Sequence, residues 1–266
     1  MTVTGLLAAV FEPPSTKDFV FGCWGGSFKL FGFDTCFNFI IMLVVLTTII
    51  VLALFYLSLR RPAVVPGKFQ LLAELGIDFV RENVAVPMLG QDAARFMPLL
   101  ASFFFFILIA NLFEVLPGFS LSPNSRLAFP FVLAMVSWVT YNAVGIKRHG
   151  FFGYLRHTCI IPAAPGWLRY SLLMVIEFVS NIIVRPITLT VRLWANFLAG
   201  HFLLAIFFLG TLFFLETGPK TWLLAAFTYP LAIVLVGFEI FVAALQAFIF
   251  AVLSASYIGQ AMAEEH

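Results

Sequence analysis

Long stretches of apolar residues constrain this chain more than any other feature of its sequence. The first, residues 37–59, spans about 23 residues without a charge and would rise about 34 Å as an α-helix. That length is enough to cross the hydrocarbon core of a bilayer, which is about 30 Å thick. Residues 96–115 and 128–146 form two further stretches of spanning length. The pattern predicts an all-α integral membrane protein with several spans.

The composition favours the same class of protein. Of the 266 residues, 62% are hydrophobic and 11% are charged, whereas about 25% of the residues of a soluble domain are charged. The formal net charge of +2 and the scattered basic residues exclude nucleic acid as an expected partner. The phosphate-binding pattern GxxxxGK(S/T) is absent from the sequence. We therefore predict no cofactor and no covalent catalysis by this chain.

Basic residues at the ends of the spans predict the orientation. Arg60 and Arg61 follow the first span, and Lys147 and Arg148 follow the third. Under the positive-inside rule these ends face the cytoplasm. We therefore expect residues 1–36 to form an outer N-terminal segment and the C-terminus to be cytoplasmic.

Residues 69–92 show the pattern of an amphipathic helix. Leu71, Leu72 and Leu75 alternate with acidic residues such as Glu74. A helix with one apolar and one charged face is expected to lie in the membrane interface. A solvated connecting helix is the simpler interpretation of the same pattern.

Two longer apolar stretches follow, at residues 170–215 and 221–261. As continuous helices they would be about 69 Å and about 60 Å long, about twice the thickness of the hydrocarbon core. They are therefore expected to be steeply inclined or broken, with Pro186 as the kink point of the first. The turn at Gly218 predicts that they form an antiparallel hairpin. We interpret residues 1–266 as a single membrane domain.

Arg192 is the most informative residue, because it lies in the middle of the first long stretch. An ionised side chain at the bilayer centre costs about 2.5–3.5 kcal/mol on insertion scales, so it needs a function or a partner. A guanidinium cannot relay protons, but it can present a fixed positive charge to a mobile carboxylate. We predict a buried arginine that acts as an electrostatic gate; the alternative is a salt bridge to Glu177 or Glu239. Asn196, four residues later, either shares the face of Arg192 or only bonds neighbouring backbone.

Closing the two long helices into a hairpin at Gly218 brings polar residues opposite one another. Facing residues have numbers that sum to about 438, which pairs Arg192 with Gln246 and His201 with Glu239. Imidazole titrates near neutral pH and a carboxylate can tune it, so the His201–Glu239 pair predicts a proton relay. A buried hydrogen bond without proton traffic is the alternative.

The remaining candidates lie toward the two membrane faces. Asn111 and Glu114 could extend the relay to the outer water, or they could simply end a solvated helix. Glu177 and Ser180 could line an inner water path, or Glu177 could be a charge at headgroup level. Two polar routes separated by a fixed charge stay apart unless a carrier bridges them.

Residues 185–201, RPITLTVRLWANFLAGH, carry a distinctive motif. The pattern RPxxLxxRLxxNxxAGH resembles the signature of subunit a of the F-type ATP synthases. Residues 111–114 (NLFE) and 239–246 (EIFVAALQ) match that family in the same order along the chain. The similarity runs from about residue 37 to the end. The chain length and the C-terminal AEEH resemble bacterial, in particular actinobacterial, members.

The resemblance implies a role in a rotary complex of the bacterial plasma membrane. Arg192 would be the stator arginine that faces the lipid-buried carboxylate of each subunit of a rotating c-ring. Protons would ride the ring nearly a full turn and leave inward past Glu177 and Ser180. The outer half-channel would be lined by Asn111, Glu114, His201 and Glu239. The implied partners are the c-ring, subunit b of the peripheral stalk, the other ATP synthase subunits, membrane lipid and protons.

The chain departs from the common family pattern at two places. Many bacterial members have an acid at the position of His201 and a histidine at that of Glu239, so this chain has the exchanged arrangement. One extra residue lies between Glu177 and Arg185, which affects the transfer of the roles of Glu177 and Ser180.

Two other classes of function compete with this interpretation. An ion-coupled secondary transporter would use the same charges for a solute, but it predicts inverted repeats and helices broken at mid-membrane, which the sequence lacks. A membrane scaffold would use its polar residues only to hold helices together. Such a scaffold has no need for an isolated cation that never titrates.

Overall fold

Long helices dominate the structure. Within the described residues, five helical segments are long and apolar enough to cross a membrane, which confirms the expectation of an all-α polytopic membrane protein. Their bounds are Phe39–Ser58, Gln70–Val115, Ala128–His149, Ile176–Thr217 and Trp222–Met262. The computed structural model describes residues 27–30, 33–36, 38–59, 67–116, 121–154 and 172–263.

A short β-hairpin, which the sequence pattern did not predict, precedes the first span. Strand β1 (Ser27–Leu30) pairs with β2 (Phe33–Cys36) in antiparallel register, with Ser27 opposite Cys36. The hairpin lies in the segment that we expected only to be an outer N-terminal extension. The rest of that segment, the basic pair at 60 and 61, and the C-terminal residues 264–266 lie outside the described residues.

Helix α1 (Phe39–Leu59) is apolar on all sides. An α-helix forms here because hydrocarbon offers no water to the backbone, so every N–H and C=O must be bonded within the segment. The hydroxyl of Thr47 follows the same rule and donates to the carbonyl of Leu43 at 2.8 Å. Leu52 and Leu57 expose 63% and 65% of their surface, as expected of side chains that face lipid.

The next helical stretch changes its geometry twice before it reaches the second span. A π turn, Arg81–Ala85, interrupts it first, and Gly90, at φ 54°, then opens the 3-10 turn Gly90–Asp92. One side of the segment expected to be an interfacial helix packs into the hydrophobic core through Val80, Val84, Ala85 and Leu89. The α-helices of this stretch are α2 (Lys68–Val80), α3 (Val86–Leu89) and α4 (Ala93–Val115).

Helix α5 (Ala128–His149) ends in a basic turn of Lys147, Arg148 and His149. Cations at this position interact favourably with the negative end of the helix dipole. Arg148 also reaches Asp92, just before α4, at 3.4 Å between Nη1 and Oδ2. We call this end of the bundle the basic end.

The last part of the chain is a long helical hairpin. Helix α6 (Leu172–Val179) continues through a second π turn into α7 (Arg185–Thr217), and α8 (Trp222–Met262) returns along it. Gly218, at φ 129°, makes the reversal in a backbone conformation that favours glycine. We call this end of the bundle the turn end.

The register of the hairpin is fixed by a hydrogen bond between two threonines. Thr211 on α7 donates to Thr228 on α8 at 2.8 Å. The residue numbers 211 and 228 sum to 439, close to the 438 expected from the sequence. The hairpin therefore has the register that the sequence pairing predicted.

The second π turn, Ser180–Val184, lies between Glu177 and Arg185. This is the interval in which the family resemblance implies one extra residue. A π turn bonds residue i to i+5 and so accommodates an added residue without ending the helix. The helical path continues through Pro186, where we expected a kink, and the irregular geometry lies just before it.

Helix α8 forms the centre of the packing, in contact with α4, α5 and α7. Small side chains four residues apart give its neighbours close access. These are Ala243, Ala247, Ala251 and Ala255, all almost completely buried. Phe103 and Phe250 pack edge to face at 5.3 Å, and Ser137 donates to Ser254 at 2.9 Å in the buried contact between α5 and α8.

Candidate functional site

Arg192 lies on the outside of the helix bundle. The buried side of α7 carries Leu189, Leu193 and Phe197, which are almost completely inaccessible. Their spacing of four residues defines one helix face and leaves the arginine on the other. The guanidinium is therefore exposed on the surface of the chain.

The prediction that Arg192 is buried is wrong for the described part of the chain, in which its side chain is exposed. Within the described ranges, Arg192 makes no ion pair and no hydrogen bond, and it is exposed because the packed face of α7 points elsewhere. The alternative of a salt bridge to Glu177 or Glu239 is wrong for the described residues. Any burial of this cation must therefore come from something other than the described residues.

Small residues surround the arginine on the same exposed strip of α7. Thr188, Ala195 and Ala199 are exposed together with Arg192, at the three- and four-residue spacing of one helix face. We call these four residues the arginine strip. Asn196, next to the strip, is half-buried.

A second group of polar side chains is buried near the turn end, where α4 ends and α5 is about to begin. Asn111 and Glu114 expose 2% and 5% of their surface, so neither belongs to a solvated helix end. The amide of Asn124 donates to Oδ1 of Asn111 at 2.7 Å. The hydroxyl of Ser122 donates to the carbonyl of Ala110 at 2.8 Å. We call Asn111, Glu114, Ser122 and Asn124 the turn-end cluster.

The turn-end cluster has unused hydrogen-bonding capacity. Oε1 of Glu114, Nδ2 of Asn111 and Oδ1 of Asn124 are buried and have no partner among the described protein atoms. Buried polar atoms are nearly always bonded, to protein or to water. A site with several such atoms close together can therefore hold hydrogen-bonded water or a proton in transit.

Glu239 of α8 is buried against α7. It exposes 5% of its surface, and its carboxylate lies so close to Gly200 that a Cβ at position 200 would collide with it. His201, the next residue, stacks on Phe197 with ring centroids 5.6 Å apart. The hairpin thus brings Glu239 to the turn of α7 that carries His201.

Gln246 does not bond Arg192 in the described chain, although the sequence placed the two side by side. Gln246 exposes only 6% of its surface, and its Nε2 has no partner among the described atoms. It lies on the packed side of α8, whereas Arg192 lies on the exposed side of α7. The two residues share a level of the hairpin but not a face.

A third polar group lies on the basic-end side of Arg192, before α7 begins. Nδ2 of Asn181 donates to Oε2 of Glu177 at 3.2 Å. Glu177 is half-buried, and so is Ser180 at the start of the π turn. The carboxylate of Glu177 is thus held by an amide one helical turn away.

Arg185 has structural contacts that distinguish it from Arg192. Its guanidinium lies 4.5 Å from the ring centroid of Tyr257 and donates to Oε1 of Gln260 at 2.9 Å. Both partners belong to α8. Arg185 therefore ties the start of α7 to the end of α8.

Sequence reasoning missed Ser122, Asn124 and Tyr141. The first two follow a turn signal and gave no sign that they fold back onto α4. Tyr141 lies in an apolar span, so its sequence context predicts only a core residue; the structure shows that its hydroxyl donates to the carbonyl of Asn181. For the described part of the chain, no cluster of three His, Cys, Asp or Glu side chains is arranged to hold a metal ion.

Comparison with known proteins assigns the chain to a family. The profile of the ATP synthase A chain family matches residues 39–259. The chain belongs to this family. ATP synthase subunit a of Rhodococcus erythropolis is 38% identical over 272 residues, covering 100% of this chain and 96% of the relative. The subunit of a Nocardioides species is 38% identical, with 96% and 95% covered, and that of Streptomyces lividans is 36% identical, with 96% and 89% covered.

Family membership settles the general role of the chain. It is a multi-pass membrane subunit of the membrane sector of an ATP synthase, and it works in ATP synthesis and hydrogen ion transport as part of that complex. The actinobacterial resemblance is confirmed by these relatives. In this family context, the three polar groups around α7 become candidates for the proton route.

Proposed function

We propose that this chain is the stator that offers two offset proton half-channels to a rotating c-ring, with Arg192 as the gate between them. The observation that carries the proposal is the exposed guanidinium on α7, which has no partner among the described residues and is flanked by a polar group toward each end of the bundle. An uncompensated cation in a membrane helix is unfavourable unless a partner covers it. A ring carboxylate that passes the arginine strip would be that partner.

The outer half-channel runs through the turn end. It consists of Asn111, Glu114, His201 and Glu239, and we add Asn124. The buried but unbonded atoms of the turn-end cluster support this route, since they can bind the water along which protons move. The exchanged pair His201 and Glu239 keeps one base and one acid at the level where the route meets the ring.

The inner half-channel starts from the basic end and passes Glu177 and Ser180. The bond from Asn181 to Glu177 supports this assignment, because it holds a titratable carboxylate in one orientation beside the helix that carries the gate. Asn196 and Gln246 lie near the level of Arg192 and would shape the passage there.

The gate acts by charge. A ring carboxylate that has lost its proton is attracted to Arg192; at 4 Å and an effective dielectric constant of 20, the attraction amounts to about 4 kcal/mol. The guanidinium cannot accept the proton, so protons do not cross directly from one half-channel to the other. They must ride the ring, and each charge moved through 100 mV supplies about 2.3 kcal/mol for ATP synthesis.

The same proposal includes the orientation of the chain in the membrane and the subunits around it. The basic end faces the cytoplasm of a bacterial cell, by the positive-inside rule, and the turn end faces outward. Subunit b and the other synthase subunits hold the chain against the ring. The whole chain acts as one membrane domain and takes part in no covalent step.

ATP-driven proton pumping in inverted membrane vesicles tests the gate. We expect Arg192→Ala to abolish pumping while the complex still assembles, because the ring carboxylate then has no fixed cation to pass. Arg95→Ala is the matched control, since Arg95 is exposed near the basic end and rests on the ring of Phe96; it should pump normally. Normal pumping by the Arg192 variant would refute the gate.

A further inference from the structure

Two backbone carbonyls of the second π turn are left without their usual partners. In this turn the N–H of Arg185 bonds the carbonyl of Ser180, five residues back. In the same pattern the carbonyl of Asn181 would take the N–H of residue 186, which is a proline and has none. In the ordinary α-helical pattern, the carbonyl of Ile182 would accept from the N–H of the same residue 186, and the proline has no N–H to donate. Buried carbonyls of this kind need donors from elsewhere.

Helix α5 supplies both donors. The hydroxyl of Tyr141 donates to the carbonyl of Asn181 at 2.7 Å, and Nε1 of Trp138 donates to the carbonyl of Ile182 at 3.0 Å. The two side chains lie three residues apart and so share one face of α5. Tyr141 exposes only 1% of its surface, so water does not compete for its hydroxyl.

The carbonyl held by Tyr141 belongs to the residue that holds Glu177. Asn181 accepts from Tyr141 through its backbone and donates through its side chain to the Glu177 carboxylate at 3.2 Å. Arg185, at the end of the π turn, lies 6.0 Å from the ring of Tyr141 and 4.5 Å from that of Tyr257. Asn181 is thus the single residue that links the tyrosine hydroxyl to the Glu177 carboxylate, a group that can carry a proton.

We propose that Tyr141 is a positioning residue of the inner proton path: it holds the π turn through the Asn181 carbonyl and thereby fixes the orientation of Glu177. Trp138 acts beside it on the neighbouring carbonyl. The proposal rests on the proposed function, because it takes Glu177 to be on the path. It goes beyond that function by assigning a role to α5, which contributes no carboxylate to the route.

The test is proton pumping by the intact complex in inverted vesicles carrying Tyr141→Phe. This change removes the hydroxyl and keeps the ring that packs near Arg185. We expect the initial pumping rate to fall about fivefold, the size expected when one hydrogen bond no longer holds the path in place. We also expect the dependence of the rate on the pH of the inner side to change shape, because Glu177 then sits in a different environment.

Thr140→Val is the matched control. Thr140 neighbours Tyr141 on α5, but its hydroxyl bonds within its own helix, to the carbonyl of Val136. It should change neither the rate nor the pH profile. Asn181→Ala should reproduce the pH profile of Tyr141→Phe, and combining the two should give no further loss, since both act through Glu177.

Three results would overturn the proposal. They are an unchanged rate in Tyr141→Phe, a rate lowered by the same factor at every pH, and losses that multiply in the double variant. The variant Glu177→Gln distinguishes a failure of this proposal from a failure of the proposed gate at Arg192. If that variant pumps normally, Tyr141 has no path to position, while the Arg192 test still decides the proposed function independently.

Discussion

Single residues in this structure carry tasks that their chemical type alone does not reveal. Gly200 is the clearest case, because its missing side chain makes the space in which the Glu239 carboxylate lies. The helix could be built with alanine at this position, and helix propensity would favour it. The carboxylate on α8 explains the glycine.

Gly200→Ala should therefore impair proton transport. The added Cβ would displace Glu239, and a disturbance of about 1.4 kcal/mol in the transfer barrier would slow pumping roughly tenfold. Gly210→Ala is the matched control on the same helix, because a Cβ at position 210 meets nothing within 4 Å. Equal pumping rates in vesicles of the two variants would show that Glu239 tolerates displacement or lies off the route.

At the scale of elements, the hairpin of α7 and α8 sets the level of every candidate group. Its register can be measured with a disulfide between Thr211→Cys and Thr228→Cys, after Cys23, Cys36 and Cys159 have been replaced by serine. The two native hydroxyls are 2.8 Å apart, so we expect rapid cross-linking under mild oxidation, read by mass spectrometry.

Leu212→Cys paired with Thr228→Cys is the control for that register. Leu212 is exposed, whereas Thr211 is buried toward α8. Neighbouring positions on a helix point about 100° apart, so this pair should not form a disulfide. Preferential cross-linking from position 212 would mean that the helices are rotated, and that the assignment of Glu239 to the level of His201 is wrong.

The sequence predicted the hairpin because its register depends only on a short turn and helical spacing. It did not predict the π turns, since these depend on which carbonyls find donors in another helix, as the Asn181 carbonyl does in Tyr141. For the same reason, the sequence did not predict the hydrogen bond from Asn124 to Asn111. The exposure of Arg192 was misjudged because depth in an apolar stretch indicates depth in the membrane and says nothing about which helix face is packed.

At the scale of the whole molecule, the orientation in the membrane decides which half-channel is which. Phe152 follows α5 at the basic end, and Leu223 lies in the first turn of α8 at the turn end; they expose 83% and 69% of their surface. In the cysteine-free background, a membrane-impermeant maleimide should label Phe152→Cys in inverted vesicles and Leu223→Cys in right-side-out vesicles. The opposite labelling pattern would exchange the inner and outer routes.

In the complete assembly that we propose, the ring covers the arginine strip. The most direct measurement is passive proton flow through the membrane sector without its catalytic head, with the ring cross-linked to the stator so that it cannot turn. A potassium diffusion potential supplies the driving force, and a pH-sensitive dye reads the flow. We expect native vesicles to be tight in this state and Arg192→Ala vesicles to conduct, because both half-channels then reach one ring carboxylate with no cation between them. Locked Arg192→Ala vesicles as tight as the native ones would contradict the account.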